Sequence, residues 1–166
     1  MPKTIRIDGL SEATINAAVQ ELWKYARWVE KKEAELVSKL AERGRRVAEV
    51  NFDFAIYDGD NDVNVTVSED GNSAVIYAKG RTVAFIEFGS GAKDGYGHPM
   101  AGQFGFGPGT WSEGDSGKGH WNNPDGWYYK HGEKSQGNPP AMAMVTARDT
   151  MVEELTQIAR EVFGTA

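Results

Sequence analysis

Thr82-Val-Ala-Phe-Ile-Glu-Phe88 runs straight into Gly89-Ser-Gly91, and Asn138-Pro-Pro140 opens the next patterned segment about fifty residues later. A short apolar run of this kind, stopped by glycine, reads as the last strand of a sheet. The connection that follows, 89–137, holds 14 of the chain's 20 glycines, all three histidines and three of the five tryptophans. A compact domain rarely carries so long a loop unless it is functional or ordered by a partner. Glycine permits positive φ, and aromatic rings offer large contact area at low rotamer cost. The segment is too aromatic to be a solvated linker. It reads as a surface that finishes folding against something else.

Working back from Thr82, the period is two. Phe52, Phe54 and Ile56 alternate with polar or small neighbours, and so do Val63, Val65 and Val67. Asp58-Gly-Asp-Asn-Asp62 and Glu69-Asp-Gly-Asn72 are turn clusters, and Gly80-Arg81 signals a tight hairpin between 73–79 and 82–88. These patterns predict an antiparallel meander of about four strands over 51–88. Upstream the period is helical. Ser11 is a good N-cap, and Ile15, Val19, Leu22, Ala26 and Val29 fall on one stripe, continued by Leu36, Leu40, Val47 and Val50. The pattern predicts a helix over 11–50, with Glu35–Lys39 and Glu42–Arg46 pairs on its outer face. Trp23, Tyr25 and Trp28 lie off the main stripe, either widening the buried face or giving the helix a second apolar face for another subunit. Downstream of the loop, Asn138 is placed as the N-cap and Pro139 as the first residue of a last helix, 139–163. Met144, Met151, Leu155, Ile158 and Val162 mark its buried side, and Gly164 stops it.

The chain has 166 residues, a formal charge of −6 and no cysteine. That excludes disulfides and thiolate metal sites. The acidic balance argues against phosphate-backbone binding, and Arg43, Arg45 and Arg46 read as a solvated helix face. No apolar run is long enough for a membrane span, and Met1 to Asp8 has no signal-like apolar region, so expression in a cytoplasm is expected.

Motifs that suggest chemistry fail on their spacing. Gly114-Asp-Ser-Gly117 spells the surroundings of a protease serine, but Ser116 lacks the long double-barrel scaffold and preorganised base that such chemistry needs; His98 and His120 sit in the same glycine loop. Gly117-Lys-Gly119 is no phosphate loop, because Ser112 and Gly119 stand where a glycine and a hydroxyl residue belong. Asp58, Asp60, Asp62 and Glu69 match calcium-loop positions, yet Val63 replaces the required glycine and strands flank the segment, so it reads as an acidic turn. His98, His120 and His131 are too widely spaced for a metal triad. No cofactor is expected. The remaining signal is aromatic: Tyr96, Phe104, Phe106, Trp111, Trp121, Trp127, Tyr128 and Tyr129 suit a sugar- or peptide-binding platform, an inter-subunit clamp, or a small core over the sheet.

Val83-Ala-Phe-Ile-Glu-Phe-Gly89, the series Gly109-Thr-Trp-Ser-Glu113, Gly117-Lys-Gly-His-Trp121 and Asp125-Gly-Trp-Tyr-Tyr129, and Gly137-Asn-Pro-Pro140 with its helix occur here in that order. Together with the long first helix they resemble the small tail-component, head–tail joining and tail-completion proteins of long-tailed bacteriophages. Ser90 stands where threonine is usual, and Asn51 to Asp58 replaces the Pro-x-x-Thr-Gly segment found after the first helix in many members. The resemblance implies a non-enzymatic virion protein of the neck or tail end, assembled in the bacterial host as a ring, sixfold by expectation. Its implied partners are other neck or tail proteins such as adaptor, stopper or tail tube; DNA would pass the lumen without specific binding, and no membrane is involved. Glu87, Phe88, Gly89, Asn138, Pro139 and Pro140 carry the family motif. Trp23, Trp28, Phe104, Phe106, Trp111, Trp121, Trp127, Tyr128 and Tyr129 are the candidate interface residues. The expected fold is α+β: long helix, four-stranded meander, extended loop over 89–138, last helix. The rival reading is a carbohydrate- or peptide-binding module built on the loop aromatics.

Overall fold

The computed structural model of the chain describes residues 4, 5, 7, 9, 11–57, 59–89, 98–100, 103, 127–128, 134–135 and 138–164, with backbone alone for 127–128 and 134–135. The architecture is α+β. Helix α1 spans Glu12–Asp53, a hairpin pairs β1 (Asn64–Asp70) with β2 (Ser73–Lys79), a short helix α2 covers Val83–Phe88, and α3 covers Ala143–Phe163. Two further short strands, β3 (Trp127–Tyr128) and β4 (Lys134–Ser135), form a separate antiparallel ladder.

Ser11 starts α1 as its side chain predicts, Oγ accepting the Thr14 N–H at 3.3 Å. The helix runs about 63 Å at 1.5 Å per residue, roughly twice the length of α3. The two are antiparallel: Ala48 and Phe52 cluster with Ala143 and Ala147 at one end, and Trp28 meets Phe163 edge-on at the other, with ring centroids 6.0 Å apart. Small residues let the backbones approach. A Cβ on Gly44 would come within 2.5 Å of Met151 Sδ and 2.6 Å of Ile76 Cδ1. Arg43 spans the two helices with a forked contact to Glu154, at 2.7 and 2.6 Å. Its guanidinium holds the Glu154 carboxyl below the usual range. Both groups are substantially exposed, so the pair contributes orientation more than stability.

The hairpin is in register from Asn64↔Lys79 to Asp70↔Ser73, closed by Gly71-Asn72 with Gly71 at φ 60°. Alternation gives the sheet one buried side. Val65 pairs with Ala78 and Val67 with Ile76 towards the helices, while Val75 and Tyr77 face out.

Two of the four expected strands are absent. Residues 51–53 finish α1, because Phe52 continues the Gly44–Ala48 face four residues on and is 1% exposed. Asn61 then closes the helix end, donating from Nδ2 to the Phe52 carbonyl at 2.8 Å. Phe54 and Ile56, which an alternating strand would bury beside Phe52, are 82% and 71% exposed. The second missing strand is 82–88, a turn and a half of helix. A short apolar run is compatible with either structure, and the surroundings decide. The last helix begins at Ala143, four residues after the Pro139 start expected from its sequence.

Helical phase at 51–53 makes a sharp prediction. Phe52→Ala is expected to cost about 3–5 kcal/mol, while Phe54→Ala changes stability by less than about 0.5 kcal/mol. Urea unfolding of both variants checks it, and equal costs would restore the alternating strand.

Candidate functional site

The residues singled out on either side of the long loop meet in one place. Helix α2 is too short to satisfy its own ends, and its last carbonyls point at the chain 138–142. Asn138 Nδ2 donates to the Phe85 carbonyl at 3.0 Å, the Ala141 N–H to the Ile86 carbonyl at 2.8 Å, and the Met142 N–H to the Glu87 carbonyl at 3.2 Å. Gly89 ends α2 at φ 73°, and its α-carbon lies so close to this segment that a Cβ would stand 2.7 Å from Pro140 N and 2.8 Å from the Asn138 carbonyl. Only glycine fits both the dihedral and the space. Asn138 is therefore a buried tie to α2, 4% exposed, and not the N-cap expected of it. Pro139 and Pro140 lie before the helix, half-buried.

The clasp is reciprocal. The N-cap of α3 is Met142, in the left-handed region at φ 50°, ψ 32°, with no side-chain oxygen to offer. Glu87 provides it from α2: both carboxylate oxygens accept the Met144 N–H, at 3.2 and 3.1 Å. This is the position an N-cap side chain normally serves, with a negative group against the positive end of the helix dipole. His98 completes the cluster. Its Nε2 lies 3.1 Å from Glu87 Oε1, while Nδ1 accepts the Met100 N–H at 3.1 Å. That pattern assigns the ring proton to Nε2, pointing at the carboxylate. Phe88 covers the imidazole, ring centroids 4.4 Å apart. The two side chains are 2% and 6% exposed, so the pair is shut off from solvent. Its chemistry is structural: it buries a carboxylate whose hydrogen bonds hold two helix ends and residues 98–100 together.

Asp62 performs the matching task at the start of α2. Oδ1 accepts from the Thr82 N–H at 3.0 Å and the Thr82 hydroxyl at 2.6 Å; Oδ2 accepts from the Arg81 N–H at 2.9 Å. The Thr82 hydroxyl first, then the two N–H groups, hold this carboxyl well below the usual range. Of the calcium-like set, Asp60 and Glu69 are exposed, Glu69 accepting from Ser38 Oγ at 2.9 Å, and Asp58 lies outside the described residues. Among the described residues no group of His, Asp and Glu is placed to hold a metal ion.

The other sequence candidates separate. Trp23 is 62% exposed on α1, whereas Trp28 is partly buried, stacked on Tyr25 at 5.6 Å and edge-on to Phe163. Phe104, Phe106, Trp111, Ser116, Trp121, Tyr129, His120 and His131 lie outside the described residues, as do the side chains of Trp127 and Tyr128. Arg43, Arg45 and Arg46 are each paired with a glutamate, Glu154 for the first and Glu42 for the other two. Arg45 and Arg46 together draw the Glu42 pKa down to about 2. No helix among the described residues is long and apolar enough to cross a membrane. What sequence reading missed is the capping role of Glu87, although a lone acid inside an apolar run was the available signal. Nothing in the sequence pairs it with His98.

The chain matches no family profile, no curated protein and no solved structure.

Glu87→Ala and His98→Ala are each expected to destabilise the fold by about 1–3 kcal/mol, the cost of leaving a buried partner unsatisfied. A double-mutant cycle should return a coupling of about 0.5–3 kcal/mol, and strict additivity would show that the contact is not energetically real. Asp62 makes a prediction about acid. Its folded pKa lies below the unfolded one, so its contribution is complete above the ordinary carboxylate range and is lost as pH falls from there through the lower folded pKa. Below about pH 4, where an ordinary Asp titrates, the wild-type protein should therefore lose stability more steeply than Asp62→Asn in an acid series of thermal melts. Parallel curves would remove Asp62 from this role.

Proposed function

We propose that the chain is a structural subunit of the neck or tail end of a long-tailed phage, assembling with its own copies into a ring that completes the tail or joins it to the head. The observation that carries this reading is an apolar surface left open by the fold. Ile15, Val19, Leu22 and Trp23 of α1 are 40–62% exposed along one helix. A contiguous exposed patch of this kind marks a protein–protein interface more often than a solvated face. The resemblance to tail-component proteins supports it from a second side. Its two motif segments, Glu87-Phe-Gly89 and Asn138-Pro-Pro140, are the two halves of the clasp, which gives that pairing of distant motifs a physical reason.

A ring requires two different patches per subunit, each meeting the other on the next copy. Six copies are the proposed number, with adaptor, stopper or tail-tube proteins above and below. The net charge of −6 and the exposed acids Asp60, Glu69 and Asp70 fit a lumen that DNA passes without being held.

Light scattering coupled to size exclusion, with negative-stain imaging, tests the assembly. Closed rings of uniform diameter are the expected particle. A species of 18.2 kDa at every concentration, alone or with neighbouring neck proteins, would overturn the reading.

A further inference from the structure

Among the described elements, helix α1 outruns the hairpin and α3 that pack on it. Trp28 already lies against Phe163, the last residue of α3, so Glu12 to Arg27 extend past the bundle by about 24 Å. The overhang does not change character. Ile15, Val19, Leu22 and Ala26 continue, in steps of three and four through Val29 and Glu33, into Val37, Leu40, Gly44 and Ala48. Ala48 is in the core, and Gly44 lies against Met151 of α3 and Ile76 of β2. One seam therefore runs the length of the helix, packed at Gly44 and Ala48 and exposed at Ile15, Val19, Leu22 and Ala26; Ala18, on the neighbouring face, is 8% exposed.

The same molecule carries a groove of about 490 Å³, walled by Val37 and Leu40 of α1, Ala74 and Ile76 of β2, and Ala147 and Met151 of α3. Among the described residues Arg148 is its only charged lining residue. Methionine on its wall gives a surface that adapts to an incoming side chain.

We infer that the α1 overhang of one copy lies in the α1–β2–α3 groove of the next. This rests on the proposed ring and names the contact that builds it. The overhang presents anchors at i, i+4 and i+7 (Ile15, Val19, Leu22), the spacing with which a helix fills an apolar groove. The seam is the one α1 already uses, further along, against the same β2 and α3 surfaces.

Area sets the form of the assembly. A strip about 24 Å long and about 10–12 Å across covers roughly a third of the ~800 Å² per partner that a stable pair needs. A single contact is too small to hold a dimer, whereas in a closed ring every subunit makes it twice, once with its overhang and once with its groove. Pairing two overhangs about a twofold axis would leave both grooves bare and stop at a dimer.

The absence of cysteine makes the test direct. Chains carrying only V19C and only A74C are purified, mixed, assembled and mildly oxidised. Ala74 lines the groove on the same face of β2 as Ile76 and is only partly buried, and Val19 is 40% exposed, so neither substitution touches the core. The expected product is a disulfide between a V19C chain and an A74C chain, confined to the assembled fraction. Particles that yield V19C–V19C product, or no mixed product, overturn the docking and leave the ring standing; absence of any particle removes the ring as well. Leu22→Glu supplies an independent reading. Leu22 is 55% exposed, so the variant should melt as the wild type does while its assembly weakens at least tenfold. Assembly at wild-type strength would sink the inference.

Discussion

Glu87 is the constraint on which the rest of this fold depends. A carboxylate in a nearly dry site is costly unless its hydrogen-bonding capacity is used. Here it is spent on the first turn of α3 and on the imidazole of His98. Helix α2, six residues long, would not persist by itself. Its carbonyls are met by 138–142, its acid meets α3, and Asp62 holds its start. The left-handed Met142 is a consequence of the same arrangement. A non-glycine residue keeps such a conformation only where its surroundings over-determine it. The Met142 N–H is bonded to α2, its carbonyl accepts the Thr146 N–H, and the cap comes from Glu87.

Around this clasp the core is small and built for close approach. Ala48, Ala143 and Ala147 bring α1 and α3 together, with Phe52 and Ile86 as its large members. Because α1 is roughly twice as long as α3, only its C-terminal half has this core to pack against. The hairpin is similarly sparing, covering the helices with one face and leaving Val75 and Tyr77 outside.

Closed and open parts of the molecule thus have different tasks. At the clasp, Glu87 and His98 have their polar groups matched and their side chains out of reach of solvent, which suits holding a shape. The exposed seam of α1 and the apolar groove beside it are left open among the described residues, and they are the surfaces the proposed ring would use. An assembly subunit needs both, a rigid joint and an unfinished surface.

Sequence alone determined those features whose cause is local. Ser11 begins α1 because its hydroxyl serves the first turn, the 3.6-residue stripe makes α1 a helix, and β1 and β2 follow from period-two alternation about Gly71-Asn72. Tertiary structure decided the rest. Residues 51–53 and 82–88 carry patterns that a strand and a buried helix satisfy equally, so the choice fell to what surrounds them: Ala48 and Ile86 packing at one site, Asp62 and the α3 N-terminus at the other. Asn138 has the side chain and the following proline of an N-cap, but the carbonyl of Phe85 claimed its amide, and Glu87 took over the cap from fifty-odd residues away. The stripe of Ile15, Val19 and Leu22 likewise announces burial without saying against what. A hydrophobic pattern encodes which face must leave water; only the positions of the other elements show whether this chain, or another copy of it, does the covering.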